Sequence, residues 1–83
     1  MEYFFAPRAL KQLQKFPHNV QVRIITKLDF FCATDSPLFF AESLIQSDLG
    51  HYRFRIGDYR VIFDLVKEGL DILYVGHRKD IYR

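Results

Sequence analysis

Cysteine, long apolar runs and net charge are all scarce in this chain. Its single cysteine, Cys32, lies in a helical pattern and has no partner for an internal disulfide, so we expect a buried thiol in the reducing cytoplasm. No apolar run approaches the roughly 20 residues of a membrane-spanning helix. The N-terminus also lacks the basic region and long apolar core of a secretion signal. We therefore expect a soluble, unprocessed, cytoplasmic protein that does not bind a membrane.

The charge balance is nearly even, with 12 Lys and Arg against 10 Asp and Glu in 83 residues. So small an excess does not by itself indicate nucleic-acid binding, and only the distribution of the basic residues can. The length allows one domain, residues 1–83, whose core is small enough to be marginally stable alone. No internal repeat, low-complexity segment or linker divides it.

Three common kinds of site are missing from the sequence as well. It has no glycine-rich phosphate loop of nucleotide-binding spacing, no Cys/His cluster for zinc and no paired carboxylates of a two-metal site. We therefore expect neither a metal nor another cofactor. The side chains with chemistry to offer are guanidinium, imidazole and phenol groups, concentrated in residues 51–83.

That C-terminal segment predicts a three-stranded antiparallel meander. In the first strand, 51–56, successive side chains alternate between two faces. The apolar face carries Tyr52, Phe54 and Ile56, and the basic face carries His51, Arg53 and Arg55. Residues 57 and 58 suit a tight hairpin turn, since Gly and Asp tolerate positive φ.

The second strand, 59–66, is apolar except for Arg60 and Asp64, which is typical of a central strand. Residues 67–69 close a second hairpin, and the third strand, 70–75, ends at Gly76-His77-Arg78. Side chains at such a strand end are well placed for chemistry.

The N-terminal half predicts one strand and then an antiparallel hairpin of two helices packed on the sheet. Residues 2–6 are extended in character and are expected to pair with the meander as an outer or central strand. Pro7 suits the first turn of a helix, Pro17 ends that helix, and Asn19 can cap the next. The apolar side of the first helix consists of Leu10, Leu13 and Phe16. Together these elements predict an α+β fold.

The second helix carries an apolar stripe. Its members are Val20, Ile24, Ile25, Leu28, Phe31 and Cys32. Phe30 lies opposite this stripe, at 100° per residue, so we expect it to be exposed. Residues 33–49 are the least regular part. Ser36-Pro37 opens a possible short helix that would carry Leu38, Phe39, Phe40, Leu44 and Ile45.

Two stretches of the meander resemble a known family. The sequence IGDYRVIFDL at 56–65, followed after the hairpin by ILYVGHRKDIYR at 72–83, closely resembles the RelE/ParE superfamily of toxins from toxin–antitoxin systems. The match covers the whole chain in its order of elements and is sharpest in GDYRVIF and VGHRKDIY. The resemblance implies a RelE-like fold for a single toxin domain.

The resemblance also implies a function, that of the messenger-RNA interferases of the RelE branch. These are metal-independent endoribonucleases that cut messenger, usually in the ribosomal A site, by attack of the RNA's own 2′-hydroxyl. Such cleavage needs a base, cations that stabilise the phosphorane and an acid for the departing 5′-oxygen. The implied partners are messenger RNA and the ribosome, a cognate antitoxin, and operator DNA bound only through that antitoxin.

Three residues match functional positions of the family. Arg60 matches the arginine that binds the scissile phosphate, although a salt bridge with Asp58 or Asp64 is the alternative. Arg78 matches the arginine that stabilises the transition state, with ordinary solvated charge as the alternative. Tyr82 matches the tyrosine that stacks on a base or donates a proton, and simple packing is its alternative.

The sequence departs from the family on the first meander strand. The best-studied ribonucleases carry two lysines there, whereas this chain has His51 and Arg53. Because arginine cannot act as a base near neutral pH, we expect His51 or His77 as the base, and the other or Tyr82 as the acid. A structural, hydrogen-bonded role is the alternative for each histidine. The residues expected to bind RNA are Arg53, Arg55 and Lys79.

Two other functions stay open. The ParE branch of the superfamily poisons DNA gyrase without cutting RNA, and the missing lysines also allow a decayed toxin that only binds antitoxin. The HRKDIY ending and the basic first strand favour the ribonuclease. Phe30 is either a singly exposed aromatic or an antitoxin contact.

Overall fold

A five-stranded sheet carries two helices on one face in the computed structural model of the chain, which describes residues 1–81. The strands are β1 (Glu2–Phe5), β2 (Ala41–Ser43), β3 (Tyr52–Ile56), β4 (Tyr59–Val66) and β5 (Gly69–His77). The helices are α1 (Pro7–Gln14) and α2 (His18–Ala33), and a short 3₁₀ helix spans Pro37–Phe40. The strand order β1-β5-β4-β3-β2 confirms the α+β class and the C-terminal meander, and makes β4 the central strand.

The meander has the predicted hairpins. β4 has the predicted bounds, β3 begins one residue later than predicted, and β5 extends beyond the predicted 70–75 at both ends. β3 and β4 pair antiparallel around Gly57-Asp58, with Ile56 opposite Tyr59. β4 and β5 meet with Val66 opposite Gly69, so their turn contains only residues 67 and 68. β1 pairs parallel with the first half of β5 and is an outer strand of the sheet.

β2 is a strand that the sequence did not predict. It follows the 3₁₀ helix and pairs antiparallel with β3, placing Glu42 opposite Arg53. The predicted short helix therefore exists but ends at Phe40, and Leu44 and Ile45 lie beyond it. Such a strand is shorter than the average of about 5–6 residues, too short for an alternating pattern to mark it.

The core lies between the helices and one sheet face. Phe54 on β3 and Phe63 on β4 are both fully buried, and their rings stack with centroids 4.5 Å apart. Phe31 of α2 packs on Phe54 with centroids 4.6 Å apart. The other buried apolar residues around them are Ala9, Leu13, Ile24, Leu28, Cys32, Ile56, Val61, Leu70, Ile72 and Val75. Full burial of each large side chain contributes about 1.5–3 kcal/mol.

Two details of the predicted helices are wrong. In α1 the core residue is Ala9, fully buried, whereas Leu10 is 41 % exposed, because Ala9 and Leu13 share a face at i and i+4 spacing. Asn19 does not cap α2, since the helix already begins at His18 with Pro17 in the capping position. Pro7 is the first residue of α1, as predicted.

Two predictions for α2 are confirmed. Cys32 is buried, and burial raises the pKa of its thiol. Phe30 is 54 % exposed. No helix within residues 1–81 is both long and apolar enough to span a bilayer.

Removal of a central core ring provides a test of this packing. We expect Phe54→Ala to lower the free energy of unfolding by about 3–5 kcal/mol, the usual cost of an emptied aromatic site. Phe39→Ala is the matched control, because Phe39 is 83 % exposed, and it should change stability by less than about 0.5 kcal/mol. Urea unfolding followed by circular dichroism measures both, and equal losses would contradict the placement of the core.

Candidate functional site

Four arginines gather at one end of the sheet, on the side away from the helices. Arg53 and Arg55 alternate with core residues along β3, and Arg60 on β4 lies directly opposite Arg55. Arg78 follows β5, and its backbone N–H donates to the carbonyl of Asp58, 2.7 Å away. The hairpin pairing of β3, β4 and β5 therefore brings together side chains that are far apart in the sequence.

Arg60 is the most enclosed member of this arginine cluster, with 8 % of its surface exposed. Its Nη1 donates to the carbonyls of Gly57 and Tyr59, at 2.8 and 3.0 Å. Its Nε has no hydrogen-bond partner among the described residues. Burial lowers the pKa of Arg60, and the positive charges of Arg55, Arg53 and Arg78 lower it further. A buried cation surrounded by like charges favours the arrival of an anion.

Arg60 forms no salt bridge with Asp58 or Asp64 among residues 1–81, so that alternative is wrong. Asp58 instead accepts from Arg78 Nε, at 3.2 Å, and Asp64 contacts His51.

Glu42 also belongs to the site, although no sequence pattern pointed to it. Its Oε2 accepts from Arg53 Nη2 at 2.8 Å, and its Oε1 lies 2.6 Å from Arg55 Nε. The hydrogen bond from Arg53 lowers the pKa of this carboxyl, with further lowering by the charges of Arg53, Arg55 and Arg60. The pairing of β2 with β3 puts it there, and only that pairing would have revealed it.

The cluster keeps a positive charge after its own ion pairs are counted. Among the described side chains, four arginines meet two carboxylates, Glu42 and Asp58, which leaves an excess of two positive charges. Guanidinium groups match the oxygens of a phosphate in geometry and charge. The arrangement is therefore suited to binding a phosphate diester.

The two candidate histidines lie apart from each other and do not form a base–acid pair. His51 shares the arginine face but sits at the other end of β3, four residues from Arg55, or about 13 Å of extended chain. Its Nδ1 lies 2.7 Å from Asp64 Oδ1, and its side chain is 79 % exposed.

His77 lies on the opposite, helix-facing side of the sheet. It is the strand partner of Tyr59, and the two rings meet edge to face with centroids 5.3 Å apart. Its Nδ1 accepts from the backbone N–H of Lys79, at 3.1 Å, so in this arrangement Nε2 carries the proton. Lys79 is exposed in the turn after β5. Tyr82 lies outside the described residues.

Comparison with known proteins identifies the family. The model of the ParE toxin of the type II toxin–antitoxin system parDE matches residues 3–82. No functionally curated protein matches the chain.

Solved structures of toxin–antitoxin complexes contain chains with the same fold. The toxin–antitoxin complex RelBE2 from Mycobacterium tuberculosis contains a chain with 26 % identity and a TM-score of 0.72, over 92 % of this chain and 95 % of that one. The RelB–RelE complex from Methanococcus jannaschii contains a chain with 25 % identity and a TM-score of 0.69, over 94 % of this chain and 93 % of that one. The archaeal RelE–RelB complex from Pyrococcus horikoshii OT3 gives 25 % and 0.69, over 94 % of both chains. Because the family model and these RelE-like structures all span nearly the whole chain, the protein belongs to the RelE/ParE superfamily of toxins from type II toxin–antitoxin systems.

Proposed function

We propose that this toxin is a metal-independent endoribonuclease that inhibits translation by cleaving messenger RNA in the ribosomal A site. The observation that carries the proposal is the arginine cluster, with a buried Arg60 whose Nε is unpartnered within residues 1–81. A phosphate diester would supply the missing acceptor and neutralise the excess charge. The RelE-like fold supports the same function by analogy.

In the proposed reaction the 2′-oxygen of the RNA attacks the adjacent phosphorus and the bond to the 5′-oxygen breaks. Arg60 and Arg78 contact the phosphate and stabilise the extra negative charge of the phosphorane. Arg53 and Arg55 extend the cationic surface along β3 and hold the flanking RNA. The products are a 2′,3′-cyclic phosphate and a free 5′-hydroxyl.

Glu42 is our proposed proton acceptor for the 2′-hydroxyl. Arginine cannot take this role, and His51 lies at the far end of β3 beside Asp64. The Glu42 carboxylate touches two arginines of the cluster, and its lowered pKa keeps it ionised at neutral pH. The proton for the 5′-oxygen would come from Tyr82, as the family resemblance implies, because His77 lies across the sheet from the arginine cluster.

The partners follow from the family. The matched structures are complexes of RelE toxins with RelB antitoxins, which supports a cognate antitoxin for this chain. Operator binding would occur only through that antitoxin. The exposed aromatic ring of Phe30 is a candidate antitoxin contact, and the cytoplasm is the proposed location.

Inhibition of DNA gyrase is the second candidate function, because the matching family model is that of ParE. In that case the arginine cluster would bind an acidic protein surface or DNA, and no bond would be cut.

Arg60→Ala tests the ribonuclease directly. We expect the rate of messenger cleavage in a reconstituted translation system to fall at least about 100-fold, as for loss of one transition-state donor. Arg60→Lys should also be impaired, since an ammonium group lacks the planar fork. Mapping of new 5′ ends on the messenger measures the cuts, and Lys27→Ala, an exposed change on α2, is the matched control.

The opposite result separates the two functions. If folded wild-type protein leaves messenger intact but blocks supercoiling by purified gyrase, the protein acts as a ParE toxin and not as a ribonuclease.

Glu42→Gln tests the proton acceptor. Single-turnover cleavage should slow by about 100-fold or more, while affinity for a 2′-O-methyl RNA that cannot be cut should rise, because one negative charge leaves the site. Glu68→Gln, in the turn between β4 and β5, should change neither quantity. Unaltered cleavage by Glu42→Gln would rule out this role.

The pH dependence of the wild-type rate gives an independent check on the base. A carboxylate whose pKa lies below its ordinary value stays ionised as the pH falls from 7.5 to 5.5, so the rate should not drop in that range. A base with the ordinary imidazole pKa of about 6.5 would lose roughly 10-fold there. A 10-fold fall in rate, with the protein still folded, would indicate that a histidine and not Glu42 accepts the proton.

A further inference from the structure

A small cavity lies at the end of β5, between α1 and the turn that follows the strand. Its volume is about 170 Å³, smaller than the roughly 300 Å³ at which pockets for drug-sized ligands begin. The side chains around it are Gln12, Lys15, Phe16, Tyr74, His77 and Asp80. A single ring system fits such a volume and such walls.

The strand edge that borders this cavity is left unpaired by β1, which covers only the first half of β5. The side chain of Gln12 reaches across the gap, and its Oε1 accepts a hydrogen bond from Val75 N–H at 2.8 Å. In an antiparallel pair the N–H and C=O of one residue point to the same side, and the direction repeats every second residue. The backbone groups of Val75 and His77 therefore all point away from β4, towards α1 and the cavity.

Two of these backbone groups are available to a ligand. The carbonyl of His77 already accepts from the N–H groups of Asp80 and Ile81, at 2.9 and 3.2 Å. The carbonyl of Val75 and the N–H of His77 have no hydrogen-bond partner within residues 1–81. The edge thus presents one acceptor and one donor, side by side.

A nucleobase is the ligand that complements this edge. Each base carries neighbouring donor and acceptor groups on its own hydrogen-bonding edge, and bases of single-stranded RNA stack on aromatic side chains. The cavity supplies such surfaces in Phe16, Tyr74 and His77, and Lys15 supplies a positive charge beside them.

The cavity is also adjacent to the arginine cluster. Gly76 lines it and is the strand partner of Arg60, and Arg78 comes directly after His77. A Cβ at Gly76 would lie 2.8 Å from the ring of Tyr74, so the glycine lets that ring lie close against the strand. An RNA held by its phosphate at Arg60 and Arg78 would therefore have its adjoining base within reach of the cavity.

A peptide strand fits this edge poorly. Strand addition needs a ladder of several free backbone groups, whereas here Gln12 already occupies Val75 N–H and α1 lies over the edge. One donor and one acceptor suffice for a flat ring but not for a ladder.

We propose that this cavity is a nucleobase subsite that receives the base next to the scissile phosphate of single-stranded RNA, an inference that rests on the RNA-cleaving function proposed above. Val75 C=O and His77 N–H bind the edge of the base, and the surrounding rings stack on it.

The test uses a fluorescently labelled trinucleotide, methylated at every 2′-oxygen so that it cannot be cut, and three versions of it with one base removed in turn. One abasic version should bind wild-type protein about 10-fold more weakly, the usual scale of one stacked base. Tyr74→Ala should bind the intact trinucleotide with a similar loss and should no longer distinguish the abasic version. Phe39→Ala, an aromatic deletion on the 3₁₀ helix, should behave as wild type.

Nuclear magnetic resonance of ¹⁵N-labelled wild-type protein observes the backbone amides of the strand edge directly. The amide signal of His77 should shift with the intact trinucleotide and not with that abasic version. This measurement and the abasic series both use unmutated protein, so they stand even if Tyr74→Ala fails to fold.

The outcomes separate this proposal from the proposed function. If all abasic versions bind wild type equally and His77 does not respond, while Arg60→Ala weakens binding, the subsite is refuted and RNA binding by the arginine cluster stands. If wild type neither binds the trinucleotide nor cuts messenger, both proposals fail together. A cavity that serves a protein partner's side chain would give the unresponsive His77 signal and would likewise overturn the subsite.

Discussion

The stacked rings of Phe54 and Phe63 fix the register on which the rest of the molecule depends. Side chains alternate along each strand, so a slip of one residue between β3 and β4 would turn a core ring towards water and an arginine towards the helices. Burial of the rings opposes such a slip, because the displaced ring would expose its apolar surface to water. The same register holds Arg55 opposite Arg60. The apolar face of the sheet thus determines the geometry of its cationic face.

Arg60 is held in a position that electrostatics alone would not favour. Burial and the charges of three other arginines lower its pKa, and its Nε finds no acceptor within residues 1–81. Buried groups without partners are rare in folded proteins and tend to mark functional sites. The backbone carbonyls at the β3–β4 turn restrain the side chain, so the phosphate of the proposed RNA substrate would meet a donor that is already oriented. The pairing of strands that forms the hydrophobic core sustains this unfavourable charge.

Sequence patterns predicted the parts of the fold that repeat and missed the parts that depend on contact between distant segments. Alternation along β3 assigned Arg53 and Arg55 to one face, and the Gly57 turn placed β4 beside it. Glu42 was not predicted as a site residue, because a strand of three residues is too short to show an alternating pattern. The two histidines were grouped by their chemistry. Alternation already placed His51 at the start of β3, but the position of His77 across the sheet depends on the register between β4 and β5. Ala9 replaced Leu10 in the core because helix rotation, not side-chain size, decides which residue faces the sheet.

The position of Glu42 bears on the choice between cleavage and simple binding. A surface that only holds an acidic partner gains nothing from a carboxylate between Arg53 and Arg55, since that charge repels the partner and competes for its donors. A nuclease, in contrast, needs a proton acceptor close to the phosphate, and arginines cannot provide one. In a nuclease, Glu42 would weaken binding of the RNA before the reaction and would help only during it. Such a trade is expected when binding interactions are used in the transition state. The position of the carboxylate therefore supports the proposed ribonuclease over the gyrase inhibitor.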